Sequence, residues 1–186
     1  ETMATYIGTK VGGGMEFIAS SGAISNAASV QFREQDGHFD SSKYDHYAFY
    51  FQHVIPATDD VGFFAHHSTD DGSSYDTTSG DYHRAGTTDE TGFLVDHSGY
   101  TVGSDTNEFG VGGLAYLYAP HNTSAYTYFS PFGIVQMVNA GILGVNEMNL
   151  TASARIAAED TNAIQFKFTS GNIESGEITM FGIVNS

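Results

Sequence analysis

The chain has 186 residues, no cysteine, no tryptophan and a formal charge of −16, from 22 Asp and Glu against 6 Lys and Arg. That length suits one domain with a real core, and the missing cysteines exclude a disulfide framework and a thiolate zinc site. With so few cations to displace counterions from a phosphate backbone or to meet an anionic bilayer, neither nucleic acid nor a membrane is expected as a partner.

Only 15% of the residues are charged, so the surface is uncharged and polar with the cations missing, which suits a salty exterior where self-repulsion is screened. No cationic stretch followed by an apolar one opens the sequence, and no apolar run approaches the span of a bilayer. The expectation is a protein neither exported by a classical signal nor embedded in a membrane.

Residues 1–14 are Gly-rich and lack a hydrophobic face. They read as an extended arm that needs a surface to lie on, either its own domain or a partner, with Tyr6, Ile7, Lys10 and Val11 as the partner contacts. Residues 15–186 read as a single domain.

From Met15 onward the dominant period is two. Strands are expected at residues 15–20, 28–33, 45–53, 62–68, 79–84, 113–119, 125–137, 149–157, 163–169 and 176–183. Tyr47, Phe49 and Phe51 form one apolar row; Leu114, Tyr116 and Tyr118 another; Ile164, Phe166 and Phe168 a third; Ile178, Met180 and Val184 a fourth. In 149–157 a helix competes, but a strand with Leu150, Ala152, Ala154 and Ile156 on one face is favoured. Gly, Asn, Asp and Ser cluster between the rows, and no fixed repeat runs through the chain. Many short strands without intervening helices predict an all-β fold, an antiparallel β-sandwich of jelly-roll type.

Residues 43–84 are the most distinctive stretch. Two aromatic runs flank Pro56-Ala57-Thr58-Asp59-Asp60, and the second empties into a polar loop running from Ser68 to Asp76. His66, His67 and His83 beside these carboxylates invite a metal reading. Adjacent strand residues point to opposite faces, however, so His66 and His67 do not converge on one ion. Calcium at Asp70, Asp71 and Asp76 is the better metal candidate, although the loop lacks EF-hand spacing, and an Asp-Gly turn shaped by Gly72 explains the same residues. The loop residues Asp70, Asp71, Ser73, Tyr75, Asp76 and Tyr82 form a candidate binding site for an ion, a sugar or a neighbouring subunit. Tyr75, Tyr82, Tyr100 and Tyr126 lie in or beside polar loops, where an exposed ring could stack on a sugar.

Gly110-Val111-Gly112-Gly113-Leu114-Ala115 fits G-x-G-x-x-A but lacks the following helix, so it is not a dinucleotide site. No Walker motif and no G-x-S-x-G elbow occur. No catalytic residue, cofactor or resident metal is expected.

Tyr47-Ala48-Phe49-Tyr50-Phe51, Pro56-Ala57-Thr58-Asp59-Asp60, the loop Ser68-Thr69-Asp70-Asp71-Gly72-Ser73-Ser74-Tyr75-Asp76 with Asp81-Tyr82, and the ending from Asn162 through Phe166, Gly171-Asn172-Ile173 and Phe181-Gly182-Ile183 together resemble a family of structural proteins of tailed bacteriophages, particularly those of aquatic bacteria. In that family the loop more often reads Ser-Thr-Asp-Gly-Gly; here Asp71 replaces a Gly. The resemblance implies a non-enzymatic virion surface protein with a jelly-roll-like sandwich, homotrimeric, bound to the major capsid protein as a decoration (cement) protein. The alternative is the tip of a tail fibre or spike that binds host-surface glycan. A polysaccharide depolymerase or lyase ranks third, since catalysis needs a convergent acid and base.

Overall fold

The computed structural model describes residues 14–84, 87–95, 101–105, 108–139, 142–146 and 152–184. Within them run β1 (Met15–Ser20), β2 (Ile24–Ala27), β3 (Val30–Arg33), β4 (Tyr44–Pro56), β5 (Phe63–Ser68), β6 (Tyr82–Arg84), β7 (Thr87–Glu90), β8 (Phe93–Leu94), β9 (Val111–Tyr118), β10 (Thr127–Asn139), β11 (Ile142–Asn146), β12 (Ser153–Arg155), β13 (Ala163–Phe168) and β14 (Ile173–Val184). The arm residues Tyr6, Ile7, Lys10 and Val11 lie outside the described residues, as do Tyr100 and Leu150.

The larger sheet runs β1-β14-β4-β9-β10-β12-β6-β7, and the smaller runs β3-β13-β5-β8. β2 continues β1 along the same edge of β14, so the two act as one interrupted strand. Taking that pair as the first of eight core strands puts the first, eighth, third and sixth side by side in one sheet and the second, seventh, fourth and fifth in the other. That is the strand order of a jelly roll, and the β-sandwich expected from the period-two pattern is the fold observed. β10 and β12, with the β6-β7 and β10-β11 hairpins, extend the larger sheet beyond that core.

The two inner faces meet in a core of phenylalanines. Phe166 on β13 is its hub, with ring centroids 5.0 Å from Phe49, 5.3 Å from Phe51, 6.2 Å from Phe63, 6.3 Å from Phe129 and 6.4 Å from Phe32. Most of these contacts are edge-on or tilted, the arrangement the ring quadrupole favours, and each buried ring contributes about 1.5–3 kcal/mol of burial free energy. Ile164, Phe166 and Phe168 face inward with Gln165 and Lys167 outward, and Ile178 and Met180 are buried on β14.

Two rows face the other way from the expected alternation. On β9 the inward residues are Val111, Ala115 and Leu117, while Leu114 and Tyr116 are only half-buried and Tyr118 is exposed. On β12, which is shorter than residues 149–157, the polar Ser153 and Arg155 point inward, and Ala152, Ala154 and Ile156 do not. Both strands carry apolar residues at the outward parity, so alternation locates the strand without saying which side is the core.

Candidate functional site

The loop after β5 is built around two residues. Ser68 Oγ donates to Asp70 Oδ1 at 2.7 Å and accepts from the Gly72 N–H at 2.9 Å, while Ser74 donates to Asp70 from both its N–H at 2.9 Å and its Oγ at 2.6 Å. These donors, the Ser74 hydroxyl foremost, hold the Asp70 carboxyl down at about 2. Asp71 and Gly72 both sit at positive φ, 58° and 78°, and the Ser73 N–H closes the turn onto the Asp70 carbonyl at 3.2 Å. Positive φ at both central positions is what a type I′ turn demands.

The three loop carboxylates point to separate partners. Asp71 Oδ1 accepts from the Gln35 N–H at 3.0 Å, and the Asp71 N–H donates to Asn162 Oδ1 at 2.9 Å, tying the turn to the neighbouring loops. Asp76 accepts from the Thr78 N–H at 2.8 Å and pairs with Arg155 Nη2 at 3.0 Å. No group of three or more His, Asp or Glu side chains among the described residues is arranged to hold a metal ion.

Tyr82 lies in the core with no exposed surface, so its ring is closed to a ligand arriving from outside. Its hydroxyl donates to the Asp76 carbonyl at 2.9 Å and lies 2.8 Å from His67 Nδ1. Tyr75 is half-buried, its hydroxyl has no hydrogen-bond partner, and burial pushes it up to about 12. The Asp70 to Asp76 loop overhangs a cleft of about 290 Å³, lined by His67, Ser68, Thr69, Ser74, Tyr75, Asp76, Arg155 and Glu159.

Inside that cleft a single guanidinium faces three carboxylates. Arg155 lies 2.9 Å from Glu159, 3.0 Å from Asp76 and 3.4 Å from Asp81, and His67 Nε2 is 2.9 Å from Glu159. Burial and then the Arg155 charge push the His67 ring below its ordinary value, against the pull of Glu159. Arg155 thus engages all three acids, and the Ser68 and Ser74 hydroxyls are directed at Asp70 rather than at a histidine. His66, on the opposite side of β5, stacks at 15° on Phe64 and is covered by Gly92, so the two adjacent histidines do not share a partner.

A second polar relay escaped the sequence reading. The buried Tyr47 hydroxyl accepts from the Asp40 N–H at 2.8 Å and meets His121 Nε2 at 3.0 Å, while His121 Nδ1 meets Asp160 at 2.8 Å. It resembles a catalytic chain in outline, but Tyr47 is wholly buried and burial raises its phenol far above the ordinary range. A phenol so hard to ionise is a poor nucleophile. Nothing around His121 in the sequence marks this relay, because its three members come from β4 and two separate loops.

A further surface that these networks leave unexplained is the outer face of the larger sheet. Reading across the ladder from β1 through β14, β4 and β9 to β10, one row is Met15, Ile183, His46, Tyr118 and Tyr128, and the next is Phe17, Phe181, Ala48, Tyr116 and Ser130. A third row, Tyr50, Leu114 and Phe132, crosses β4, β9 and β10. Phe17 meets Phe181 edge-on at 6.3 Å, and Tyr116 lies beside Tyr118 at 5.9 Å and 24°. An antiparallel sheet with one solvated face normally shows polar residues there.

The fold and these sites together define an all-β jelly-roll sandwich with an apolar sheet face and a loop cleft in which three carboxylates gather around one arginine. No protein-family model, no curated protein and no solved structure matches the chain.

Proposed function

We propose that the chain is a non-enzymatic structural protein of a virion surface, a decoration (cement) protein laid on the head shell of a tailed bacteriophage as a homo-oligomer. The observation that carries the reading is the apolar outer face of the larger sheet, where side chains such as Phe17, at 65% exposure, and Phe132, at 45%, stand open on a chain that is otherwise acidic and polar. A contiguous aromatic face of this kind is the mark of a protein contact surface. The jelly-roll order and the engagement of the loop carboxylates with Arg155, Ser74 and Gln35 support the same reading, since they describe a scaffold rather than a poised acid and base.

The test is to purify virions from lysates that make the chain and to image it with a specific antibody. Labelling over the head surface is the expected result, and particles free of the chain would overturn the proposal. A fibre-tip or spike module that binds host-surface glycan is the second reading, favoured by the open tyrosines Tyr50, Tyr118 and Tyr128, whose rings could stack on sugars. Labelling at the tail, with binding on a glycan array, would select it.

A further inference from the structure

We infer that the outer face of the larger sheet is a self-association surface, on which the same face of a second copy of this chain packs. The inference rests on the assembly reading above and names the occupant of that face.

The first argument is area. Met15, Phe17, Tyr50, Tyr118, Tyr128 and Phe132 are each between 38% and 65% exposed on this one face. Side chains of about 200 Å² so exposed contribute roughly 600 Å² of open surface. The half-buried Leu114, Tyr116, Phe181 and Ile183 add to it. The face thus reaches or exceeds the largest apolar patch of a typical monomer and approaches the ~800 Å² that each partner supplies to a stable interface.

The second argument is where the matching surface can be found. Among the residues whose side-chain exposure the structure describes, seven large hydrophobics are exposed, and Tyr126, just ahead of β10, is the one off these rows. Against the surface formed by those residues, a head-to-tail contact between copies would set this face on polar groups. Pairing the face with itself about a two-fold axis is the arrangement that covers both apolar surfaces at once.

The third argument is charge. None of the residues in the three rows is Asp, Glu, Lys or Arg, although the chain carries −16 overall. A face built for a basic partner would display carboxylates; this one suits an identical neutral face. The acidic remainder of each copy opposes the approach, so association strengthens with salt, the reverse of binding to a cationic partner.

Sedimentation velocity of the full chain across a micromolar concentration series, at low and high salt, tests this. Dimers that tighten with salt are expected. Tyr50→Ser combined with Phe132→Ser, both at open positions, should weaken the dimer at least ~30-fold while preserving the β-sheet circular dichroism. Lys167→Gln, on the outer side of β13, should leave it unchanged. Because the chain has no cysteine of its own, a spin label at Gln52→Cys, exposed on β4 at the rim of the face and outside the three rows, offers a second measurement. A short label-to-label distance between copies is expected there, and none from Lys167→Cys. A monomer at every concentration and salt, a trimer, or dimers indifferent to the double substitution would overturn the self-pairing. A monomer that still labels virion heads would overturn the self-pairing alone and leave the assembly reading standing.

Discussion

Arg155 reaches inward from β12 to within 3.0 Å of Asp76, and this ion pair ties the loop that follows β5 to the extended part of the larger sheet. The arginine side chain is 11% exposed and Asp76 18%, and Asp81 and Glu159 close the group. Removing the cation leaves three carboxylates facing one another in a poorly solvated cleft. Arg155→Met should cost about 3 kcal/mol at pH 7, near the lower end of what breaking a buried ion pair costs. The sign with pH follows from Asp76. Burial raises its carboxyl, but the Thr78 hydrogen bonds and Arg155 outweigh burial and hold it below its ordinary value. That contribution is present above the unfolded carboxylate range near 4 and is lost as pH falls through the folded value. Denaturant titrations of both proteins should converge as pH drops toward 3.

His66 should make the fold acid-sensitive at milder pH. Burial, helped by Lys167, lowers its ring to about 4 against the pull of Asp76. The unfolded chain binds the proton near 6.5 and the folded chain resists it until about 4, so the contribution is complete above 6.5 and is lost as pH falls between those values. The full difference is worth about 3 kcal/mol. Melting temperature measured from pH 7 to 5 should fall in the wild type, and His66→Gln should flatten part of that slope. His67 and His38, both lowered in the same direction chiefly by burial, contribute to the remaining fall.

These residues show what was legible in the sequence. Strand β1 begins and ends where the alternation put it, β13 buries its apolar row, and β14 buries Ile178 and Met180 of its row with Val184 partly buried. What alternation cannot supply is the side that faces the core when both parities are apolar, as on β9, or when an inward position holds an ion pair, as at Arg155. The strands β2, β7, β8 and β11 also went unread, since a two-residue strand such as Phe93–Leu94 has no period to detect. The Asp-Gly turn was visible because Gly72 and the polar residues around it carry their own conformational signal. The Tyr47, His121 and Asp160 relay was not, because it is assembled by tertiary contact alone.

That relay supplies the third prediction. Tyr47→Phe keeps the ring but removes the oxygen that accepts from Asp40 and meets His121. The Asp40 N–H is then left facing an apolar edge, at a cost of about 1–3 kcal/mol. Urea unfolding should show the midpoint shift with no change in slope, because packing around the ring, including the 4.7 Å contact with Phe39, is kept. An unchanged midpoint would mean that water or a shifted side chain takes over the lost bonds.

Gly176 marks where the sheet bends, and a methyl group there should be among the most damaging single changes. Along the ladder β14 slips against β4 between Ile173 and Ser175 and again between Ser175 and Glu177, while His53 opposite adopts a φ of 50°. Gly176 itself has a φ of 124°, and a Cβ on it would lie 2.5 Å from the His53 carbonyl oxygen and 2.7 Å from the Val54 Cα. Both obstacles are backbone, so relief requires the bulge to open and the β4-β14 pairing to be lost locally. Gly176→Ala should therefore destabilise by about 3 kcal/mol or more. Gly22→Ala is the matched control: φ is 63° and nothing lies within 4 Å, so only the left-handed strain of about 1 kcal/mol applies. Comparing the two variants by thermal unfolding separates steric collision in the bulge from backbone preference, and equal losses would show that the bulge yields without cost.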